Sequence, residues 1–182
     1  MANPHHLARL LAGIHGWNDW RASGSLEEVD LRGAELMGHD LRGADLWYAK
    51  LQGADLTGAR LEGAILDRAD LTYADLRHAN LYGARMRGAV CDRANLACAI
   101  LVGADLTLAK ITDADVDGAV FTSAVVWGTN FFGSDVNTAH CLEPGTGWIQ
   151  DEDSVPRREA GAAVDRRGRM WQNGSLQRVG GA

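Results

Sequence analysis

Large apolar residues return every five positions from Leu31 onward, with small or polar residues between them. Leu31, Leu36, Leu41 and Leu46 begin a series that runs unbroken to Leu81. The same frame continues through Met86, Cys91, Leu96, Leu101, Leu106, Ile111, Val116, Phe121, Val126 and Phe131 to Val136. In all, 22 positions hold the register. Two residues before each stands a small one: Ala34, Ala44, Ala49 and onward to Ala124, then Thr129 and Ser134. His39 is the clearest exception.

A period of five matches neither the 3.6-residue helix nor the two-residue strand alternation. It needs a backbone that turns a corner every five residues. Inside such a tube, one large and one small side chain per side fill a narrow interior. Alanine suits the positions where four sides converge, because a bulkier residue would strain a close-packed core. Glycine recurs two residues after the central one, at 33, 38, 43, 53, 58, 63, 83, 88 and 103, where it eases the corner.

Composition agrees with a narrow interior. The chain is 46% hydrophobic but only 7% aromatic, and its apolar content is mostly Leu and Ala beside 22 Gly. Its 182 residues suffice for one modest domain. The six Trp lie mostly toward the two ends.

The runs Ala44-Asp45-Leu46, Ala54-Asp55-Leu56 and Ala79-Asn80-Leu81 resemble the pentapeptide-repeat family, A(D/N)LXX. The resemblance covers residues 29–138. It implies an all-β solenoid, a right-handed quadrilateral β-helix with four repeats per coil. Twenty-two repeats then make about five and a half coils, roughly 26 Å long at the usual strand spacing. Both ends of such a tube expose backbone edges and need caps.

Residues 1–28 are read as an N-terminal helical cap. Within 4–15, Leu7, Leu10, Leu11 and Ile14 share a face at helical spacing, and Trp17 and Trp20 follow. His5 and His6 are expected to diverge on that helix and to be solvated. Trp47 and Tyr48 are expected to lie under the N-terminal segment. Residues 139–182 are read as a C-terminal cap and an irregular or partly helical tail. Trp148 and Ile149 would fold over the last coil, with a loose helix around Ser154–Val164.

Four repeats per coil stack residues 20 apart, so outward charge can be sorted by face. The repeat region carries 15 acids and 10 bases. Three faces balance. The fourth holds Glu35, Asp55, Asp75, Asp115, Asp117 and Asp135 against Arg77 alone. Its five net charges over about 26 Å are about a third as dense as the charge along duplex DNA. The bland account of these acids is turn-forming consensus bonded to nearby backbone. A second feature is apolar: Ile100, Val102 and Val120 stack on one face, and Leu108, Val125 and Trp127 on the next. Outward apolar residues at stacked positions form a patch. It would be covered by the 141–182 tail or would join two copies through the C-terminal coils.

Other chemistry has little footing. A convex tube filled with Leu and Ala offers no pocket in which catalytic groups converge. His78 and Asp75 could neighbour each other, but no nucleophile joins them. Cys91 replaces a central Leu and reads as inert packing. The three cysteines match no metal-binding spacing, and neither a metal nor a cofactor is expected. Reduced thiols, the absence of a signal-peptide pattern and the absence of an apolar run of about 18 residues point to a cytoplasmic protein that does not span a membrane. The net charge of −6 and the lack of a basic stripe argue against direct nucleic-acid binding.

Two functions fit these readings. The first is a non-enzymatic protein–protein interaction scaffold. The second, implied by the family resemblance, is a DNA mimic that binds DNA gyrase or another type II topoisomerase and gives resistance to topoisomerase poisons.

Overall fold

The computed structural model describes residues 1–24 and 27–140, together with the backbone of 169–172 and 175–178. Two short helices, α1 (Pro4–Leu11) and α2 (Ile14–Ala22), precede the repeats. From Asp30 the chain climbs by parallel bridges between residues 20 apart: Asp30 with Lys50, Glu35 with Asp55, Asp40 with Arg60 and Asp45 with Ile65. Four five-residue sides therefore close each turn, in a right-handed β-helical solenoid. The walls are one bridge wide, with no conventional strand among the described repeat residues.

Backbone hydrogen bonds recur in a fixed pattern, among them one from each corner residue to the carbonyl 19 residues on, as from Gly33 to Gln52 at 2.9 Å. Each central residue donates its amide to the carbonyl 19 residues on, as Leu31 does to Lys50 at 2.7 Å. The residue before it donates 21 residues back, as Lys50 does to Val29 at 2.8 Å. The small residue donates to the central carbonyl three residues earlier, as Ala34 does to Leu31 at 3.1 Å. That last bond closes a β-turn whose third residue needs a positive φ. Gly33 supplies it at 62°, but Tyr48, Arg68, Tyr73, His78, Arg93, Cys98, Leu108, Asp113 and Ser123 adopt it with a β-carbon.

The interior follows the five-residue frame. The central Leu series and the Ala series are buried, and Met86 and Cys91 take their places in it without exposure. Phe121 and Phe131 meet edge to face at 5.8 Å near the upper end. Where hydroxyls replace Ala, both are satisfied. Thr129 donates to the Leu106 carbonyl and Ser134 to that of Ile111, each at 2.7 Å. His39, at the equivalent place in its own repeat, is exposed and its ring nitrogen lies 3.1 Å from the Met37 carbonyl.

The ladder is regular up to its last turn. Asp115 and Asp135 are not bridged, because residues 134–138 form tight local turns (Val136 amide to Ser134, Thr138 amide to Asp135). Pairing resumes with Val120 and His140.

The N-terminal segment is two helices rather than one. Pro4 takes the first helical position and Asn3 caps it by accepting the His5 amide at 2.9 Å. Gly13, at φ 138°, then breaks the chain before α2. Leu10 is buried and Leu7 and Ile14 are partly so, while Leu11 points to solvent. The cap thus turns inward three of the four residues expected to share its face. Its footing includes Trp17, fully buried, and His6, only 5% exposed.

That burial of His6 corrects the expectation that both histidines are solvated. His6 stands one helical turn from Leu10 and so shares its inward face, whereas His5 is exposed. Trp47 and Tyr48 are likewise not covered. Arg21 of α2 binds the Trp47 carbonyl at 2.7 Å, yet the two rings stay 49% and 43% exposed.

The anticipated contacts of Trp148 and Ile149 and the helix at Ser154–Val164 lie outside the described residues. In the tail, β1 (Arg169–Gln172) and β2 (Ser175–Arg178) pair antiparallel with Trp171 opposite Leu176, an element the sequence pattern did not suggest.

Candidate functional site

The acidic residues are brought together in part. Glu35, Asp55, Asp75, Asn95 and Asp115 form one continuous bridged column. Asp117 lies beside it and gives its amide to Asp115 Oδ1 at 3.0 Å. Asp135 stands off the column because of the turn distortion.

The same geometry explains why acids and Asn interchange here. A side-chain oxygen accepts the amide two residues on: Asp55 from Thr57, Asp75 from Arg77, Asn95 from Ala97 and Asp135 from Asn137, all at 2.9–3.1 Å. One oxygen of each residue is thereby committed to its own turn. Asp75 is further engaged. The Arg77 guanidinium hydrogen-bonds its carboxylate and holds the carboxyl below the usual range, against an opposing effect of burial. Asp75 thus pairs with Arg77, and no contact with His78 is made.

The same device recurs on other faces. Arg32 holds Asp30, and Arg42 holds Asp40 down to about 2.

The apolar residues lie on two adjoining faces at the upper end. Ile100 bridges Val120, Asp105 bridges Val125, and the Leu108 amide donates to the Trp127 carbonyl at 2.9 Å. Leu108 is 50% exposed and Trp127 44%, with Ile100 and Val125 also open and Val102 and Val120 half-buried.

The Leu108 face carries more than the sequence reading singled out. At its lower end Trp47 packs edge-on against Tyr48 at 4.4 Å, and Arg68 lies over the Tyr48 ring. Between the two aromatic ends, Asp67 is buried, paired with Arg85, and accepts the Arg87 amide at 3.0 Å. Arg87 in turn pairs with Asp105. Stacking of residues 18 and 20 apart was the signal that could have found this network.

An open cleft of about 510 Å³ lies between the two helices and the loop at 27–28, lined by His5, His6, Arg9, Trp20 and Glu27 among others. Among the described residues no cluster of His, Cys, Asp or Glu is arranged to hold a metal ion. No helix there is long and apolar enough to cross a membrane.

Twenty-residue turns of stacked five-residue sides place the molecule among the β-helical solenoids. Residues 49–88, 74–113 and 99–137 match the family of pentapeptide repeats. The chain belongs to the pentapeptide-repeat family.

Solved structures similar to it include Rfr23, a pentapeptide repeat protein from the cyanobacterium Cyanothece 51142. It is 27% identical, with 60% of this chain and 66% of that one covered and a TM-score of 0.45. This chain thus spans just under two thirds of that relative. HetL from Nostoc sp. strain PCC 7120, involved in heterocyst differentiation regulation, is 27% identical over 71% of this chain and 76% of that one, TM-score 0.37. QnrB1, a plasmid-mediated fluoroquinolone resistance protein, is 17% identical over 60% and 75%, TM-score 0.27. No curated protein matches the chain.

Proposed function

We propose that the protein acts without catalysis, as an interaction scaffold that docks a protein partner on the corner formed by Leu108, Val125 and Trp127. Leu108 is the observation that carries this reading. It is half exposed, and its φ of 60° is one that a β-carbon disfavours by about 1–2 kcal/mol. The positions one turn below and one turn above it on that corner are Gly88 and Gly128. Glycine at 108 would relieve the backbone and remove an exposed apolar side chain. An exposed apolar side chain kept at a corner where glycine stands one turn below and one turn above fits contact with something beyond the fold.

Proximity labelling with the full chain tests this reading. Partners labelled by the wild type are expected to be lost together in Leu108→Gly and Trp127→Ala. An unchanged set in both variants overturns it. Sedimentation across a concentration series identifies the case in which the partner is a second copy.

A second reading, mimicry of duplex DNA toward a type II topoisomerase, draws on the column Glu35, Asp55, Asp75 and Asp115. Asn95 interrupts that column and Arg77 offsets Asp75, so its free charge is thin. A supercoiling assay separates the two readings. Inhibition by wild type that disappears when Asp55 and Asp115 are replaced by Lys favours mimicry, and no inhibition at all removes it for that enzyme.

A further inference from the structure

The first turn of the solenoid has no turn beneath it, so its downward amides and carbonyls need other partners. The two helices supply them on two of the four faces, by different means. On the Asp45 face α2 contributes Trp17, whose indole donates to the Asp45 carbonyl at 2.8 Å. Asn18 accepts the Asp45 amide at 2.9 Å. Asn18 and Arg21 also donate to the carbonyls of Gly43 and Trp47. On the Asp30 face the Asn3 amide donates to the Asp30 carbonyl at 2.9 Å, and the Asp30 amide donates to Nδ1 of His6 at 3.1 Å.

The α2 contacts are made by indole, carboxamide and guanidinium groups, whereas the Asp30 amide is held by an imidazole nitrogen. The Nδ1 of His6 can accept only while it carries no proton. The ring's one proton must then sit on Nε2, which faces Glu27 Oε2 at 3.3 Å.

We infer that His6 is a proton-operated latch on the edge of the first turn: neutral, it holds the Asp30 amide, and protonated, it releases that amide while the α2 contacts stay in place. An imidazolium presents N–H to the N–H of Asp30, so the bond is lost and two donors oppose each other. His6 is only 5% exposed, with the Trp20 ring at 5.4 Å.

Several charges bear on the ring. From the loop and first turn these are Glu27 in contact, Glu28 tied to Lys50 at 2.7 Å, and Asp30 held by Arg32. From α1 they are His5 and Arg9, and the N-terminal amine also acts on Asp30. From α2 the facing group is the uncharged Trp20. Glu27 pairs with the imidazolium through Nε2, a contact that does not involve the Asp30 amide.

The test is amide exchange on the full chain, as protection factors corrected for the intrinsic rate. From about pH 7.5 to about pH 5, where histidine titrates, protection at Asp30 is expected to fall about five- to tenfold, the effect of one lost hydrogen bond. The Asp45 amide, bound to Asn18, is expected to hold. In His6→Asn a carboxamide oxygen replaces Nδ1, so Asp30 protection becomes independent of pH; in His6→Ala it is low throughout. Ring ¹⁵N shifts of wild-type His6 give a check that needs no variant: an Nδ1–H tautomer at neutral pH overturns the latch. Unchanged Asp30 protection across the range, or a parallel fall in His6→Asn, does so as well.

Discussion

Arg68 lies over the ring of Tyr48, 5.4 Å from its centre, and donates to the Tyr48 hydroxyl one turn below on the same corner. Both residues hold the left-handed backbone, at φ 58° and 56°. Tyr73 and Arg93 repeat the arrangement on the next corner, with the guanidinium 5.6 Å from the ring. Cation–ring contact between turns thus offsets strain that glycine would avoid. Leu108 has the strain without the stack.

Replacing Leu108 by Gly is therefore expected to raise stability by about 0.5–1 kcal/mol, the left-handed relief less the entropy glycine adds to the unfolded chain. Arg68→Gly removes the partner of Tyr48 and is expected to give no such rise. Thermal unfolding of the two variants side by side decides the matter. An equal rise in both would mean that the stack contributes nothing.

Asp75 sets a pH dependence whose sign is fixed by its partner. The Arg77 hydrogen bond holds the carboxyl below its unfolded range, against the effect of burial. A depressed folded value means that the contribution is fully present above the unfolded pKa, near pH 4. It fades as pH falls through the folded value. Asp75→Asn keeps an oxygen for the turn amide, as Asn80, Asn95 and Asn130 do in equivalent places. The variant is expected to be less stable than wild type at neutral pH, with the gap closing on acidification. Urea midpoints measured from pH 6 down to pH 2 would show that convergence; a constant gap would deny the ion pair its role.

The five-residue frame made the core readable, because large and small inward positions alternate at fixed spacing. Leu66 and Ala64 could be assigned to the interior from spacing alone. The faces could be sorted for the same reason, until the tight turns at 134–138 took Asp135 out of its column. Such turns depend on local hydrogen bonds that the repeat does not encode. His6 was misread because adjacency to His5 was weighed and its four-residue spacing to Leu10 was not. The Asp67–Arg85 and Arg87–Asp105 pairs were hidden because each joins neighbouring columns, whereas the sorting compared charge only by face.

Leu66 and Ala64 make the interior's size rule quantitative. Both are fully buried. Leu66→Ala is expected to destabilise by about 2–5 kcal/mol through the cavity it leaves. Ala64→Leu is expected to destabilise by about 1–3 kcal/mol or more, because the facing sides cannot separate without breaking the ladder. Each turn touches only its neighbours, so a lesion there should also uncouple the lower and upper turns. Denaturant unfolding followed by amide exchange would reveal two transitions where wild type has one. A single unchanged transition in Ala64→Leu would show that the interior has slack.

The two described cysteines are expected to differ sharply in reactivity. Cys91 sits at a central position with no exposure. Burial pushes its thiol up to about 12, helped by the carboxylates of Asp92 and Asp70. Little thiolate exists there at neutral pH, and no reagent reaches it. Cys98 is exposed at a corner, with φ 58°. With Cys141 replaced by Ser, a disulfide reagent should label one thiol at once and the second only as the middle turns open. The slow phase should then track the stability of the middle turns, speeding in Leu66→Ala and remaining unchanged in His6→Ala, whose lesion is confined to the lower end. Rapid labelling of both thiols in the native protein would mean that the central turns open locally, and the view of the Leu–Ala interior as one continuous packed column would have to be given up.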